Sequence, residues 1–477
     1  MRTHAPLLPY LIAFWAGLFL GLGKLETGGF ILFVWIIIGC WIGFKWSLKF
    51  TLSRFIFFIV CSTLGILRAN SVLVNIPYSS GELIALTLKS CKPQPVNHGK
   101  NIYSYAHTNE IGKVGIVWPN TLQFPSTESI SLGIWRPLED KKIGNFDVKA
   151  YYESLGCHGL FIPIKSLSLD SATSLSSSYR LAMKNNLEGA GVNKHALGFM
   201  LGLSTGDKSL LSRNIKDLFA RAGVAHLLAV SGYHVGLVGF IPLLFIRSRR
   251  REMKYLSGIG LIGIWTFIIA CGCPWSAIRS GIMVSVGIVG KLTRKSVLPW
   301  QAFCVAAWIV AWIDPYAPQQ LGTQLSFAAT AGILAVVSKP KWLILRMPIA
   351  AQTATLAWLA CSFQKVPILF LPLNVIASVI VGVIGAAIGL GSFFIMIDPE
   401  VGNAIFCFGG LIAEKSIQTL EWLDNSTPLE MKINSPGNFI AASITGMALL
   451  LKDVIPFMLA KLISATGILF LVLQFLS

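Results

Sequence analysis

The chain has 477 residues, 54% of them hydrophobic and only 13% charged, with 39 Lys and Arg against 21 Asp and Glu for a net charge of +18. Soluble globular proteins carry roughly 25% charged residues, and the mean hydropathy here is +0.68. This composition argues against a freely soluble enzyme and predicts a polytopic α-helical membrane protein.

Three apolar segments open the chain, near 7–23, 28–44 and 52–69, and residues 1–69 read as N-terminal transmembrane helices. The first has only Arg2 ahead of it and no Ala-x-Ala-like cleavage site, so it reads as a retained span. Lys45, Lys49 and Arg54 mark the second connection as cytoplasmic. The third span then delivers the following segment to the outside.

Residues 70–180 hold ten Lys and Arg against eight Asp and Glu, a net +2. The excess positive charge lies elsewhere, in RSRRREMK (247–254), KLTRK (291–295) and KPKWLILR (339–346). Short basic loops between apolar runs follow the positive-inside rule, so the net charge reads first as topology and not as affinity for nucleic acid.

Residues 70–165 differ from their surroundings. Short alternating runs, Val114, Ile116 and Trp118, then Ile130, Leu132 and Ile134, are divided by Pro119-Asn120, Pro125-Ser126 and Gly144-Asn145. Alternation punctuated by turn residues predicts a small inserted β-domain on the exported side. Residues 166–195, beginning SLSLDSATSLSSSY, read as a Ser-rich linker followed by an amphipathic segment.

From 196 to 477 the chain is apolar again, with seven to nine helical segments expected. Some are broken by Gly and Pro, as in CGCPWSAIRSG (271–281) and KVPILFLPLN (365–374). Non-helical backbone at membrane depth is tolerated where it is buried in protein or lines a wet cavity.

One stretch is unusual. HLLAVSGYHVGLV (226–238) reads as an apolar helix, yet it keeps His226, Ser231 and His234. At 100° per residue these three share one arc, while Gly232, Gly236 and Gly239 fall on the other side and leave room for a neighbouring helix. Two readings stay open: helix–helix hydrogen bonding, or a polar face toward water. Further polar residues sit in apolar surroundings: Arg279, Gln324 with Ser326, Gln352 with Thr353 and Thr355, and Asn374. Spread over separate segments, they suggest a shared hydrophilic path.

Ordered motifs now add a resemblance. FDVKAYYESLGCHG (146–159), LGLSTGDKSLLS (201–212), FARAGVAHLLAVSGYHVGLV (219–238), WSAIRSGIM (275–283), DPYAPQQLGTQLSFAATAGI (314–333), AAQTAT (350–355) and PLN (372–374) occur in that order. The chain resembles the ComEC family of competence proteins, which internalise DNA in natural transformation. The resemblance implies an OB-like exported domain, a competence transmembrane domain over 196–477, and a multi-pass position in the inner (plasma) membrane. It implies a channel for single-stranded DNA, not an enzyme. Arg279 is then the expected main phosphate contact. His226, Ser231, His234, Gln324, Gln352 and Asn374 would line the path, with passing phosphates or an acidic residue such as Asp207 as the partner of Arg279.

OB folds hold single strands with a basic groove and stacking aromatics. Tyr103, Tyr105, Trp118, Trp135, Lys113 and Arg136, with Lys141 and Lys142, are the candidates, and core packing is the alternative for the aromatics. Many family members carry a metallo-β-lactamase-like domain with a His-x-His-x-Asp-His cluster. Here the seven histidines lie at 4, 98, 107, 158, 195, 226 and 234, none in that pattern. No metal site and no cofactor are expected.

The expected partners are single-stranded DNA, the lipid bilayer, a separate DNA receptor and nuclease, and a cytoplasmic ATPase, since no Walker-type P-loop occurs; a homo-oligomer stays open. Two other classes remain as alternatives. One is a transporter of another solute. The other is a membrane-embedded serine hydrolase using Ser231, although Ser231 and His234 share one helix and no acid flanks them. Cys91 and Cys157 are the two cysteines of the exported segment, and an oxidising exterior favours a disulfide between them over two separate thiols.

Overall fold

The computed structural model describes residues 52–71, 78–89, 96–98, 101–108, 111–119, 129–139, 142–143, 146–168, 175–228, 250–293, 295–337, 342–363, 365–427 and 429–432, with isolated positions between 11 and 18 and between 230 and 236.

The inserted segment forms a barrel. Its strands are β1 (Leu83–Lys89), β2 (Val96–His98), β3 (Asn101–Thr108), β4 (Gly112–Pro119), β5 (Ser129–Arg136), the two-residue β6 (Lys142–Ile143) and β7 (Phe146–Asp147), and β8 (Leu160–Ser168). Five of them close in the order β1-β5-β8-β4-β3 and back to β1, with β2 appended to β3. Every pairing in the ring is antiparallel except β4 with β8, which is parallel. Closure leaves no long free sheet edge.

The barrel is filled by Leu86, Leu88, Val114, Ile116, Trp118, Trp135 and Phe161. Burying each large apolar side chain stabilises the fold by about 2 kcal/mol. The alternation along β4 puts Ile116 and Trp118 inside, as its pattern suggests. Along β5 the face is reversed: Ile130 and Leu132 point out, while Ser129 and Ser131 are buried. The inner hydroxyls satisfy one another, Ser131 Oγ donating to Ser166 Oγ at 2.9 Å. Trp135 fixes the face, because its ring needs the core more than Ile130 does. A short helix, Val148–Ser154, packs on the barrel with Tyr152 buried and its hydroxyl donating to the Ile116 carbonyl at 3.0 Å. β8 runs to Ser168, three residues into the stretch read as linker, and an amphipathic helix Leu175–Gly189 follows.

The rest is helical, and here the composition misled. Among the described residues one helix, Phe370–Phe394, is long and apolar enough to cross a membrane. The expectation of a polytopic protein is therefore corrected. Crossing takes roughly 20 apolar residues, and apolar helices of about 10–14 are more often core helices. Lys194–Thr205 has twelve residues and is buried from Ala196 to its end. Pro299–Ile313 has 15 and Leu321–Val336 has 16. Leu343–Phe363 is long enough but carries Arg346 and Pro348 along with Gln352, Thr353 and Thr355. The break expected within CGCPWSAIRSG is a tight turn, Cys271–Pro274, where Gly272 and Cys273 both take positive φ.

The helices pack closely. Leu321–Val336 crosses Leu343–Phe363 where Gly332 lies against the Ala350 carbonyl, with no room for a Cβ. Phe370–Phe394 forms a hairpin with Pro399–Ser426, and Gly391 lies against the Phe406 ring. Arg221 makes a bidentate pair with Asp424, tying the Arg213–Arg221 helix to that hairpin.

The barrel is seated on the helical part. Lys113 Nζ on β4 lies 2.7 Å from Asp314 Oδ2. Gly156, with φ +76, abuts the Tyr316 ring, which fills the space a Cβ would need. Arg68 reaches the carbonyls of Trp312 and Ile313 at 2.8 and 3.2 Å and closes the C-terminus of the Pro299–Ile313 helix.

A candidate anion site around a buried arginine

Arg279 sits in the first turns of the helix Trp275–Leu292. Pro274 precedes that helix, so it starts sharply after the Cys271–Pro274 turn. The side chain is 7% exposed. Its Nε donates to Ser326 Oγ at 3.1 Å, and its Nη1 donates to Thr330 Oγ1 and lies 3.7 Å from the Met283 sulfur. The guanidinium lies 5.6 Å from the centroid of Phe327, within cation–π range. Ser326, Phe327 and Thr330 all come from one face of the Leu321–Val336 helix, with the two hydroxyls at i and i+4.

No carboxylate pairs with Arg279 among the described residues. Its neighbours are two neutral hydroxyls, a thioether and a ring. Burying a charge without a counter-charge costs several kcal/mol, and hydroxyls recover only part of that. The expected partner, Asp207, is engaged elsewhere: Arg180 Nε stands 3.7 Å from its Oδ2, and its Oδ1 accepts from the Ser209 amide at 2.9 Å.

The expected helix over 226–238 is not continuous. Ala225–Leu228 is a 3-10 turn, Val230 is non-helical, and Gly232, Val235 and Gly236 are helical. Ser276 Oγ donates to the Val230 carbonyl at 2.7 Å and satisfies the break from the Trp275–Leu292 helix. A constant 100° step from His226 onward therefore does not apply. His226 is exposed in the 3-10 turn, while Ser231 and His234 lie outside the described residues. On the glycine side, Gly232 lies against Ser280 and Arg279: a Cβ there would stand 2.5 Å from Ser280 Oγ and 3.6 Å from Arg279 Nη2. Gly236 faces open space, and Gly239 is outside the described residues.

The other candidates scatter. Gln324 Nε2 donates to the Pro318 carbonyl at 3.0 Å, and Asn374 Nδ2 to the Phe370 carbonyl at 2.6 Å, both close in sequence. Gln352 Nε2 is buried without a hydrogen-bond partner among the described residues. The structure thus joins Arg279 with Ser326 but not with Gln324, Asn374 or Asp207. Sequence reasoning missed Thr330 and Phe327. Their signal is the spacing in SFAAT, which puts Ser326 and Thr330 one turn apart.

On the barrel, Trp118, Trp135 and Tyr103 are 0%, 2% and 4% exposed. They are core rings and offer no face for stacking. Tyr105 is half-buried, Lys113 is engaged with Asp314, and Arg136 is exposed. Lys141 lies outside the described residues. Cys157 is a free, buried thiol, so it is not bridged to Cys91, which lies outside the described residues. It packs with Tyr103, Tyr152 and Leu155, and this burial pushes its pKa up to about 12, with Lys113 pulling slightly the other way. Burial also holds His158 below its ordinary value.

Comparison with known proteins adds the family. The chain is 26% identical over 187 residues to ComE operon protein 3 of Bacillus subtilis, covering 38% of this chain and 24% of that protein. It is 22% identical over 268 residues to Competence protein ComA of Neisseria gonorrhoeae, covering 54% and 38%. It is 22% identical over 200 residues to Recombination protein 2 of Haemophilus influenzae, covering 40% and 25%. The matches thus span between a quarter and two fifths of these relatives' own length. No solved structure matches the chain. Residues 203–454, which hold Arg279, Ser326 and Thr330, match the Competence protein family over more than half of the chain, and the chain belongs to that family.

Proposed function

We propose that this chain takes part in DNA uptake during natural transformation, and that single-stranded DNA passes along a polar route with Arg279 as its principal phosphate contact. The observation that carries the reading is a guanidinium buried among neutral groups with no carboxylate beside it among the described residues. Such a cation is under-compensated, and a phosphodiester supplies the missing charge. Because Ser326 and Thr330 are neutral, no anion of the protein has to be displaced. Family membership supports a competence role.

The barrel supports presentation of the strand. It has five strands, one parallel pair and a seat on the helical part, an OB-like arrangement. Its contacts to DNA would come from outward residues such as Arg136, since Trp118 and Trp135 are in the core. Phe370–Phe394 is the candidate membrane anchor, in the inner (plasma) membrane. The role is transport, with no bond made or broken by this chain. Strand degradation, DNA capture and energy supply fall to a separate nuclease, receptor and cytoplasmic ATPase.

A clean deletion given radiolabelled duplex DNA tests this. The expected result is surface-bound label with none internalised. Normal internalisation by the deletion strain would overturn the reading.

A further inference from the structure

We infer that the Phe327 ring stands in for the missing counter-charge of Arg279 and thereby sets how weakly a phosphate is held there. This inference deepens the uptake reading and rests on it. Arg279 is 7% and Phe327 6% exposed, and the guanidinium carbon lies 5.6 Å from the ring centroid. A desolvated cation over an aromatic face is attracted by the negative side of the ring quadrupole. No carboxylate pairs with Arg279 among the described residues. Beyond the hydroxyls of Ser326 and Thr330 and the Met283 sulfur, the ring face is what its charge meets. The ring is also fixed. Ser326, Phe327 and Thr330 share an arc of about 100° on the Leu321–Val336 helix, at 3.6 residues per turn. Phe303 meets Phe327 edge-to-face at 5.4 Å and 85°, and Trp15 does so at 6.0 Å and 86°.

The sign of the effect follows from the charges. The ring attracts the bare guanidinium most strongly. A bound phosphate cancels much of that charge, and the attraction to the ring falls with it. Phe327 therefore stabilises the empty site more than the loaded one and raises the dissociation constant for phosphate. A carboxylate in the same place would act in the same direction far more strongly, because its charge-assisted hydrogen bonds to Arg would have to be displaced by every phosphate. A ring compensates the cation only in part and occupies none of its hydrogen-bond donors. That combination suits a strand that must bind and move on. Phe327 is thus a positioning residue that acts through Arg279, and Arg279 is the binding group.

The test places mono-, di- and trifluorinated phenylalanine at position 327 of the full chain, purified in detergent. Fluorine withdraws charge from the ring face with little change of shape. The probe is a fluorescein-labelled twelve-nucleotide oligothymidylate, with inorganic phosphate as competitor. With each added fluorine the probe is expected to bind more tightly, by roughly fivefold across the series. The DNA-free protein should meanwhile melt progressively lower, relative to Arg279→Gln carrying the same ring. In Arg279→Gln the affinity trend should vanish. The same replacements at Phe303, which packs edge-to-face on Phe327, should leave binding unchanged. Affinity that stays level or falls with fluorination refutes the inference while the uptake reading stands. Melting temperatures that ignore fluorination refute it equally, since the ring then holds no charge in the empty site. If the unaltered chain binds neither probe nor phosphate, the reading of Arg279 as a phosphate contact falls and the inference falls with it.

Discussion

Lys113 Nζ lies 2.7 Å from Asp314 Oδ2, joining two residues 201 positions apart and seating the barrel on the helical part. Asp314 is 7% exposed and also holds the turn after Ile313, its Oδ1 accepting from the Tyr316 amide at 3.1 Å. One carboxylate thus ends a helix, shapes a turn and anchors a second structural unit.

Lys113→Ala leaves that carboxylate buried with its charge unmatched. The expected loss is about 2–3 kcal/mol, since removing one partner of a buried pair costs more than the pair contributes. Lys113→Ala combined with Asp314→Asn should be less destabilised than the sum of the single variants. Denaturant unfolding of all four proteins measures this coupling, and strict additivity would show that the pair does not hold the barrel in place.

The Cys157 thiol, raised to about 12 by burial, stays protonated in the folded state. At pH 8 its thiolate fraction is on the order of 10⁻⁴, and the thiolate is the reactive form. Maleimide should leave Cys157 unlabelled until the protein is unfolded, as peptide mass spectrometry can follow. The same shift sets a pH dependence. Between the ordinary value of 9.0 and about 12, the unfolded chain has lost this proton and the folded chain keeps it. Stability therefore falls as pH rises through that window. Cys157→Ala should flatten this part of the stability–pH curve.

Gly332 lies against the Ala350 carbonyl at the crossing of the Leu321–Val336 and Leu343–Phe363 helices. Gly332→Ala forces them apart and should cost about 1–3 kcal/mol despite the gain in helix propensity. Thermal unfolding decides it. A more stable variant would mean that propensity wins and the crossing is loose.

Ser326 and Thr330 carry two of the nitrogens of Arg279. Replacing both by Ala strips a buried cation of its acceptors, at roughly 1–3 kcal/mol for each polar group left unmatched. Single-strand binding by that variant should also weaken, because the guanidinium is free to turn. Unchanged stability would place water or another group at Arg279 and undo the account of its surroundings.

Parts of this were legible in the sequence. Turn residues and alternation located the barrel strands, because Trp118 and Ile116 need a core. They did not give the face of β5, where Trp135 outweighs Ile130 and Leu132 and serines are buried instead. Cys157 was visible as one of two cysteines in the segment expected to be exported, but its packing against Tyr103 and Tyr152 depends on contacts distant in sequence. Hydropathy exposed the apolar character of 196–477 but not its use: it averages over turns such as Cys271–Pro274 and cannot tell a helix buried in protein from one in lipid. Arg279 stood out as a charge in an apolar run. Thr330 and Phe327 did not, since nothing local shows that their helix packs on that of Arg279. The break at Val230 was invisible because the group that satisfies its carbonyl, the Ser276 hydroxyl, lies 46 positions away.

The most direct measurement is internalisation of radiolabelled DNA by cells carrying Arg279→Ala at an unchanged protein level, with Arg279→Lys alongside. The expected result is surface binding without internalised label for Arg279→Ala, and partial uptake for Arg279→Lys. Normal uptake by Arg279→Ala at equal protein level would contradict the central claim and reduce Arg279 to a packing residue between two helices.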